Sequence, residues 1–379
     1  MRLAVLRERD AFETRVAATP ETVKKLVGLG LSVVVEAGAG HGAAIADDEF
    51  RAAGAEIATD SAAMLAEAGI VFAVQMPDGE TRAQMRRGTL VVAIANAFAD
   101  PALVPALAEA GIDAVAMELL PRITRAQAMD VLSSQANLAG YRAVTEAAVT
   151  FQRGFPMMMT AAGTVPPARV FVIGAGVAGL QAIATARRLG AIVSATDVRP
   201  AAKEEIKSLG ASFVGVEDEE TAGQTGAYAR EMSEAFRQKQ AALMAATIAK
   251  NDIVICTALV MGRKAPTIVT ADAVAKMRMG SVIVDIAADA GGNCEATVPG
   301  ERIVTENGVI VLGHRNWPSR IGVAASTLYA RNLSTFLTGF WDKEAGRPKL
   351  PADDDIVKGV LLTRDGAVVH PNFQPQAAA

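Results

Sequence analysis

The sequence predicts an α/β chain built as two doubly wound domains joined by long helices, the first domain discontinuous. Three observations predict it. Short apolar strand-like runs alternate with helical stretches through most of the 379 residues, a length at which one core usually gives way to two. Residues 169–197 join a strand, Gly174-x-Gly176-x-x-Gly179, a helix and a second strand ending on Asp197, the order that a Rossmann-like dinucleotide-binding unit requires. Strand-like runs then resume after a long apolar helical stretch near the C-terminus.

The elements follow in order. Residues 3–6 are strand-like. Residues 20–29 are helical, with Thr19 as N-cap and Pro20 at the first helical position. Runs at 32–36, 70–74, 90–94 and 114–117 are short and apolar enough to lie buried in a parallel sheet. This first domain has no glycine fingerprint and reads as a partner to the main cofactor domain. A helical stretch over 125–151 carries the chain into the second domain, with strands near Val170, Ile192, Ser212, Ile253 and Val282 and another over 308–313. The helical stretch 323–340 leads back to the first domain. Residues 360–363, a turn at Asp365-Gly366, and 367–370 form a hairpin there. The expected domains are therefore 1–135 with 325–379, and 136–324, with the ligand expected in a cleft between them. Residues 374–379 read as a disordered tail.

Composition narrows the function. Half the residues are hydrophobic (51%), few are aromatic (4%), and the net charge of -4 comes from well-mixed acids and bases, which excludes a nucleic-acid footprint. Cys256 and Cys294 form no metal-ligand pattern and read as reduced thiols, Cys256 inside an apolar strand. The charged N-terminal strand is no signal peptide. No apolar run reaches the roughly 18 residues that span a bilayer; residues 155–168 come closest and are broken by Pro156, Pro166 and Pro167. The chain reads as soluble, with membrane contact only through partners.

Chemistry concentrates at the fingerprint. Gly174 permits the tight turn, Gly176 lets backbone approach a pyrophosphate, and Gly179 allows helix to pack on strand. The helix start, with Val177 and Ala178, offers N–H groups and partial positive charge to phosphates. Asp197 is placed to accept hydrogen bonds from an unphosphorylated ribose and to repel a 2′-phosphate, so NAD(H) is expected rather than NADP(H). Val198 and Arg199 complete the candidate cofactor-binding residues; Arg199 reads as stacking near the adenine or lying in solvent.

Two further segments each admit two readings. In the polar stretch 117–142, Gln127, Asp130, Ser134 and Asn137 follow helical spacing, which suits either an amide-binding site for a nicotinamide or a solvated, ordinarily capped helix start. Residues 217–230, acidic then Gly-rich and carrying Tyr228, are long for a βα loop and suit either a lid or a surface insertion. His41, His314 and His370 lie in no evident acid–base pairing. Hydride exchange between two nicotinamides needs no general base, whereas an amino or hydroxy acid dehydrogenase does.

Nearly the whole chain resembles the alanine dehydrogenase and NAD(P) transhydrogenase superfamily. The segment 122–142 is similar to its first signature, and 157–169, Met-Met-Met-Thr-Ala-Ala-Gly-Thr-Val-Pro-Pro-Ala-Arg running into the glycine motif, to its second. Within the superfamily the chain resembles the NAD(H)-binding transhydrogenase branch. The dehydrogenase branch has a substrate-binding lysine after the third strand, where this chain has Gln75, and a catalytic histidine after the next strand, where residues 91–96 hold none. Arg15 and Asp289 match superfamily positions without those companions and read as vestigial or structural. The resemblance implies that Arg122, Gln127, Asp130 and Ser133 hold the nicotinamide and that Tyr228 is a mobile-loop tyrosine. It implies NAD(H) on this chain and NADP(H) on a partner beta subunit, with direct hydride transfer between them. It implies a further, membrane-embedded alpha subunit that couples transfer to proton translocation. It also implies a homodimer, cytoplasmic and peripheral on the inner face of the cell membrane. The alternative is an alanine dehydrogenase-like NAD-dependent enzyme.

Overall fold

The computed structural model describes residues 1–216, 234–260 and 262–374. Tyr228 and its loop therefore lie outside the described residues, as does the expected disordered tail beyond Gln374. The chain forms two compact units, Met1–Gln135 with Ser319–Ala379, and Ala136–Pro318.

Strands β1 (Arg2–Val5), β2 (Ser32–Glu36), β3 (Glu56–Ala58), β4 (Ile70–Gln75), β5 (Leu90–Ile94) and β6 (Asp113–Ala116) open the chain. A short hairpin, β7 (Met158–Thr160) and β8 (Gly163–Val165), precedes β9 (Arg169–Ile173), β10 (Ile192–Thr196) and β11 (Ser212–Phe213). Strands β12 (Ile253–Cys256), β13 (Val282–Asp285), β14 (Arg302–Val304) and β15 (Ile310–Leu312) follow. A hairpin of β16 (Trp341–Asp342) and β17 (Arg347–Pro348) leads to β18 (Leu361–Arg364) and β19 (Ala367–Val368).

The first unit is built on an eight-stranded sheet ordered β19-β18-β6-β5-β4-β1-β2-β3. Strands β1 to β6 pair in parallel, while β18 pairs antiparallel with β6 and β19. The apolar runs read from the sequence are buried on both faces, as a covered parallel sheet demands: Leu3, Val5, Phe72 and Val74 enter one core, Ala4, Leu6, Val71 and Ala73 the other. The return helix Gly322–Gly339 closes the first face with Tyr329, Leu333, Phe336 and Leu337. The buried Tyr329 hydroxyl donates to the Ala73 carbonyl at 2.9 Å, so its polar end is satisfied inside the core. Strand order reverses between β1 and β4, which opens a crevice at their carboxyl ends.

The second unit carries a seven-stranded sheet ordered β11-β10-β9-β12-β13-β15-β14, parallel except for β14 against β15. Its reversal falls between β9 and β12, and β9 ends on the glycine turn. Among the described residues no helix is long and apolar enough to cross a membrane.

Some local expectations need correction. The helix expected over 125–151 is two elements, a 3-10 helix Thr124–Met129 and an α-helix Val131–Thr150. The break falls on Asp130, at φ -73° and ψ 97°, because its carboxylate accepts the Ser133 N–H at 2.9 Å and competes with helix continuation. Gln127 and Asp130 therefore do not share one helical face with Ser134 and Asn137. The sequence does not predict β3, β14 or the hairpins β7–β8 and β16–β17; each of these strands has two or three residues, too few to show a period.

The C-terminal strands are fixed by Thr363. Its buried hydroxyl donates to the Ile112 carbonyl at 2.7 Å and accepts from the Ala114 N–H at 3.2 Å. Thr363→Val keeps the shape and orphans both partners, so urea unfolding should show a loss of about 1–3 kcal/mol. Stability equal to the parent would mean that β18 does not depend on this pair.

Candidate functional site

The glycine turn is sterically determined. Gly174 has φ +93°, a conformation that L side chains rarely adopt, and a Cβ there would stand 2.6 Å from the Thr257 Oγ1. A Cβ on Gly179 would run into the Gly174 carbonyl oxygen. Gly176 differs, since a Cβ there would meet no protein atom within 4 Å. The helix Val177–Arg188 begins beside it with no side chain capping its N-terminus. Its first N–H groups are thus available, in open space, to an anionic oxygen. The Thr257 hydroxyl, 3.0 Å from the Gly174 carbonyl and 3.1 Å from that of Ile173, braces the turn from β12.

Asp197 follows the end of β10, as the sequence predicts, and the exposed Arg199 is paired with it. Its guanidinium donates to Asp197 through Nε at 3.1 Å and Nη2 at 3.2 Å, and Nη2 also donates to the Ala175 carbonyl at 2.9 Å. Backbone N–H groups of Ala175 and Arg199 reach the same carboxylate at 2.7 and 2.8 Å. Burial pushes this carboxyl up, but the hydrogen bonds from Arg199 and Ala175 outweigh it and hold it below the ordinary carboxylate range. Val198, between the two, is 90% exposed.

Sequence reasoning missed a second set of supports. The fully buried Asp285 accepts from the Ala287, Asn293 and Cys294 N–H groups at 3.0, 2.8 and 3.1 Å, and from the Thr297 hydroxyl at 2.6 Å. Asn293, after two positive-φ glycines, in turn holds both polar groups of Ala258, at 3.0 and 2.9 Å. These bonds fix the loop that contains Thr257 and hence the glycine turn. The signal available in the sequence is an acid ending an apolar strand before Gly291-Gly292-Asn293.

The residues matched to a nicotinamide site belong to the first unit, the glycine turn to the second. Arg122 and Gln127 are exposed, and neither side chain has a hydrogen-bond partner among the described residues. Asp130 and Ser133 are joined, the Ser133 hydroxyl donating to the carboxylate at 2.5 Å. Ser134 and Asn137 are engaged elsewhere, with Asn332 at 2.8 Å and Gln181 at 3.2 Å.

The crevice of the first unit is filled by its own side chains. Buried Arg15 meets Glu13 through Nε at 2.7 Å and Nη2 at 2.6 Å, and Gln135 through Nη1 at 3.0 Å. Gln75 and Ser319 donate to the same Glu13 carboxylate at 3.1 and 2.6 Å. Asp289, in the second unit, pairs with Arg315 at 2.9 Å and accepts the Asn316 N–H at 2.7 Å.

The geometry defines a class: an α/β protein of two doubly wound units with a dinucleotide-type phosphate turn in the second. Family descriptions agree with it over nearly the whole chain. "Alanine dehydrogenase/PNT, N-terminal domain" matches residues 4–139 and "Alanine dehydrogenase/PNT, C-terminal domain" residues 143–371. The chain belongs to this family. It is 52% identical, over all of both chains, to the first of the alpha polypeptides of the NAD(P) transhydrogenase of Rhodospirillum rubrum. A crystal structure of transhydrogenase from Sinorhizobium meliloti superposes with a TM-score of 0.85 at 48% identity, covering 98% of this chain and 100% of that one. An L-alanine dehydrogenase structure superposes with a TM-score of 0.78 at 26% identity, covering 99% and 98%.

Glu8, beside this polar cluster, has a pH signature. Burial pushes its carboxyl up from 4.5 to about 7, against hydrogen bonds from the Val74 and Gln75 N–H groups. Between those values the folded chain keeps a proton that the unfolded chain has released, so this group makes stability fall as pH rises from 4.5 to about 7. Glu8→Gln should flatten that fall in urea midpoints measured across the window. An unchanged slope would show that another group carries it.

Proposed function

We propose that this chain is the NAD(H)-binding subunit of a proton-translocating transhydrogenase, working with an NADP(H)-binding beta subunit and a separate, membrane-embedded alpha subunit. The observation that carries the reading is the contrast between the two strand-order reversals. In the first unit Arg15 is committed to Glu13, and position 75, a lysine in the dehydrogenase branch, is a glutamine that joins the same carboxylate. Arg15 and Gln75 are thus both bound to Glu13 rather than left to a substrate carboxylate. In the second unit the phosphate turn is open and fits a pyrophosphate, with Gly176 offering room and Val177, Ala178 and Gly179 offering N–H groups.

The bound nicotinamide supplies the hydride. Gly174, Gly176 and Gly179 shape the turn that receives the phosphates, and Asp197 takes the ribose hydroxyls. Arg122 and Gln127, exposed and without partners among the described residues, bind the carboxamide, and the Asp130–Ser133 pair fixes its orientation. No protein group needs to move a proton, which suits a site without an imidazole at residues 91–96. Catalysis then rests on holding two rings near contact and excluding water. The subunit acts as a homodimer at the cytoplasmic face of the membrane, held there by its partners.

The decisive experiment is turnover. The chain alone should bind NADH yet fail to oxidise it with pyruvate and ammonia. Mixed with an NADP(H)-binding transhydrogenase domain, it should transfer hydride from NADH without any membrane. Pyruvate-dependent oxidation together with an inactive mixture would replace this reading with an alanine dehydrogenase.

Two substitutions locate the functional groups. Gly176→Ala meets no protein atom and keeps an ordinary φ of -71°, so it should leave thermal stability unchanged and weaken NADH binding by at least about tenfold through lost phosphate contact. Unchanged affinity would remove Gly176 from the phosphate site. Arg122→Ala and Asp130→Asn should lower single-turnover hydride transfer by about 100-fold, with a far smaller change in NADH affinity, because misplacing a ring costs rate before occupancy. The opposite split, affinity lost and saturated transfer intact, would contradict the ring-orienting role.

A further inference from the structure

The sequence assigns cofactor choice to Asp197 alone, as an acid that would repel a 2′-phosphate. The structure gives that acid a companion. The Asp197 carboxylate accepts four N–H groups: the backbone donors of Ala175 and Arg199, and Nε and Nη2 of the Arg199 guanidinium. A carboxylate offers about four lone-pair sites, so none is left over. A ribose diol brings two donors. It can join Asp197 only in place of the two from the guanidinium, because the two backbone donors are fixed, Ala175 in the glycine turn and Arg199 in the bend after β10. The exchange conserves the number of hydrogen bonds and leaves the guanidinium beside the ribose. Asp197 is 8% exposed and Arg199 51%, so the arginine is the member free to leave.

We propose that Arg199 is a specificity-determining residue, a phosphate-binding guanidinium held out of use by Asp197. Its planar fork of donors suits a 2′-phosphate. While Asp197 is present, the guanidinium gains more from the carboxylate and the Ala175 carbonyl, and the carboxylate opposes the phosphate. The pair, rather than the acid alone, selects the ribose diol. This rests on the assignment of the second unit as the NAD(H) site.

The dependence on Arg199 separates this from simple charge repulsion. NADH and NADPH are titrated into the whole chain and into Arg199→Met, Asp197→Ser, Asp197→Asn and the Asp197→Ser/Arg199→Met double variant, with circular dichroism to confirm folding. Asp197→Ser should bind NADPH at least about tenfold more tightly than the parent, as a charge-assisted contact predicts, and the double variant should lose that gain. An equal gain in the double variant overturns the proposal, since relief of repulsion then explains everything. Asp197 also holds the Ala175 N–H, so Asp197→Ser is the variant at risk of misfolding. Asp197→Asn keeps an oxygen for that N–H and should show an NADPH gain of the same direction. Arg199→Met requires no change at Asp197. It bares the carboxylate, so preference for NADH over NADPH should widen; a preference unchanged or narrowed counts against the pair. Loss of all NADH binding by the parent chain would instead overturn the functional reading and this proposal with it.

Discussion

The nucleotide end of the second unit depends on one backbone contact. The helix at 177–188 starts so close to the Gly174 carbonyl that residue 179 has no room for a methyl group. That approach sets the direction of the helix, and the direction sets where its unbonded N–H groups point. It also brings Ala175 within reach of Asp197. Thr257 holds the turn from the neighbouring strand, and Asn293 and Asp285 hold the loop carrying Thr257. The supports reach inward from a fully buried carboxylate whose acceptors are filled by neighbouring N–H groups and one hydroxyl. A turn made of backbone has no side chain with which to correct its own position, so a rigid underlying network takes that role.

The two units show how one architecture serves different ends. Both reverse strand order at the place where such sheets offer a crevice. In the second unit small residues keep it open. In the first, Glu13, Arg15, Gln75, Gln135 and Ser319 close it with mutual hydrogen bonds. A buried pair of this kind is costly to assemble and more costly to break, because removing one partner leaves the other charged and dry. Arg15 and Glu13 therefore depend on one another in a crevice to which we assign no substrate.

Much of this is legible in the sequence because it rests on local pattern. Apolar runs of four to six residues mark the buried strands, Thr19-Pro20 the start of the helix Pro20–Gly28, and the glycine spacing the turn. What is not legible depends on residues far apart or on a side chain's choice between partners. The cluster around Glu13 draws on positions 13, 15, 75, 135 and 319, which no spacing rule connects. The hairpin at 158–165 lies within a stretch that reads as a family signature and as an apolar run broken by prolines, neither of which marks a strand pair. Asp130 looks like a member of a helical face and is instead the residue that interrupts it. The pairing of Arg199 with Asp197, two residues back, is not legible because it depends on the bend that follows β10.

The late strand β18 has a consequence for the order in which the protein is made. The second unit occupies one continuous stretch, Ala136–Pro318, and emerges from the ribosome complete. The first unit begins earlier and finishes later, since β6 lacks its neighbour until Leu361–Arg364 have been synthesised. Its face also lacks Tyr329 and Phe336 until the return helix arrives. During that interval β6 is an unpaired edge beside uncovered apolar surface, the kind of intermediate on which newly made chains associate wrongly. A nascent chain of this protein therefore carries a finished nucleotide-binding unit and, upstream of it, an exposed sheet that waits for the return helix and for Leu361–Arg364 to be translated.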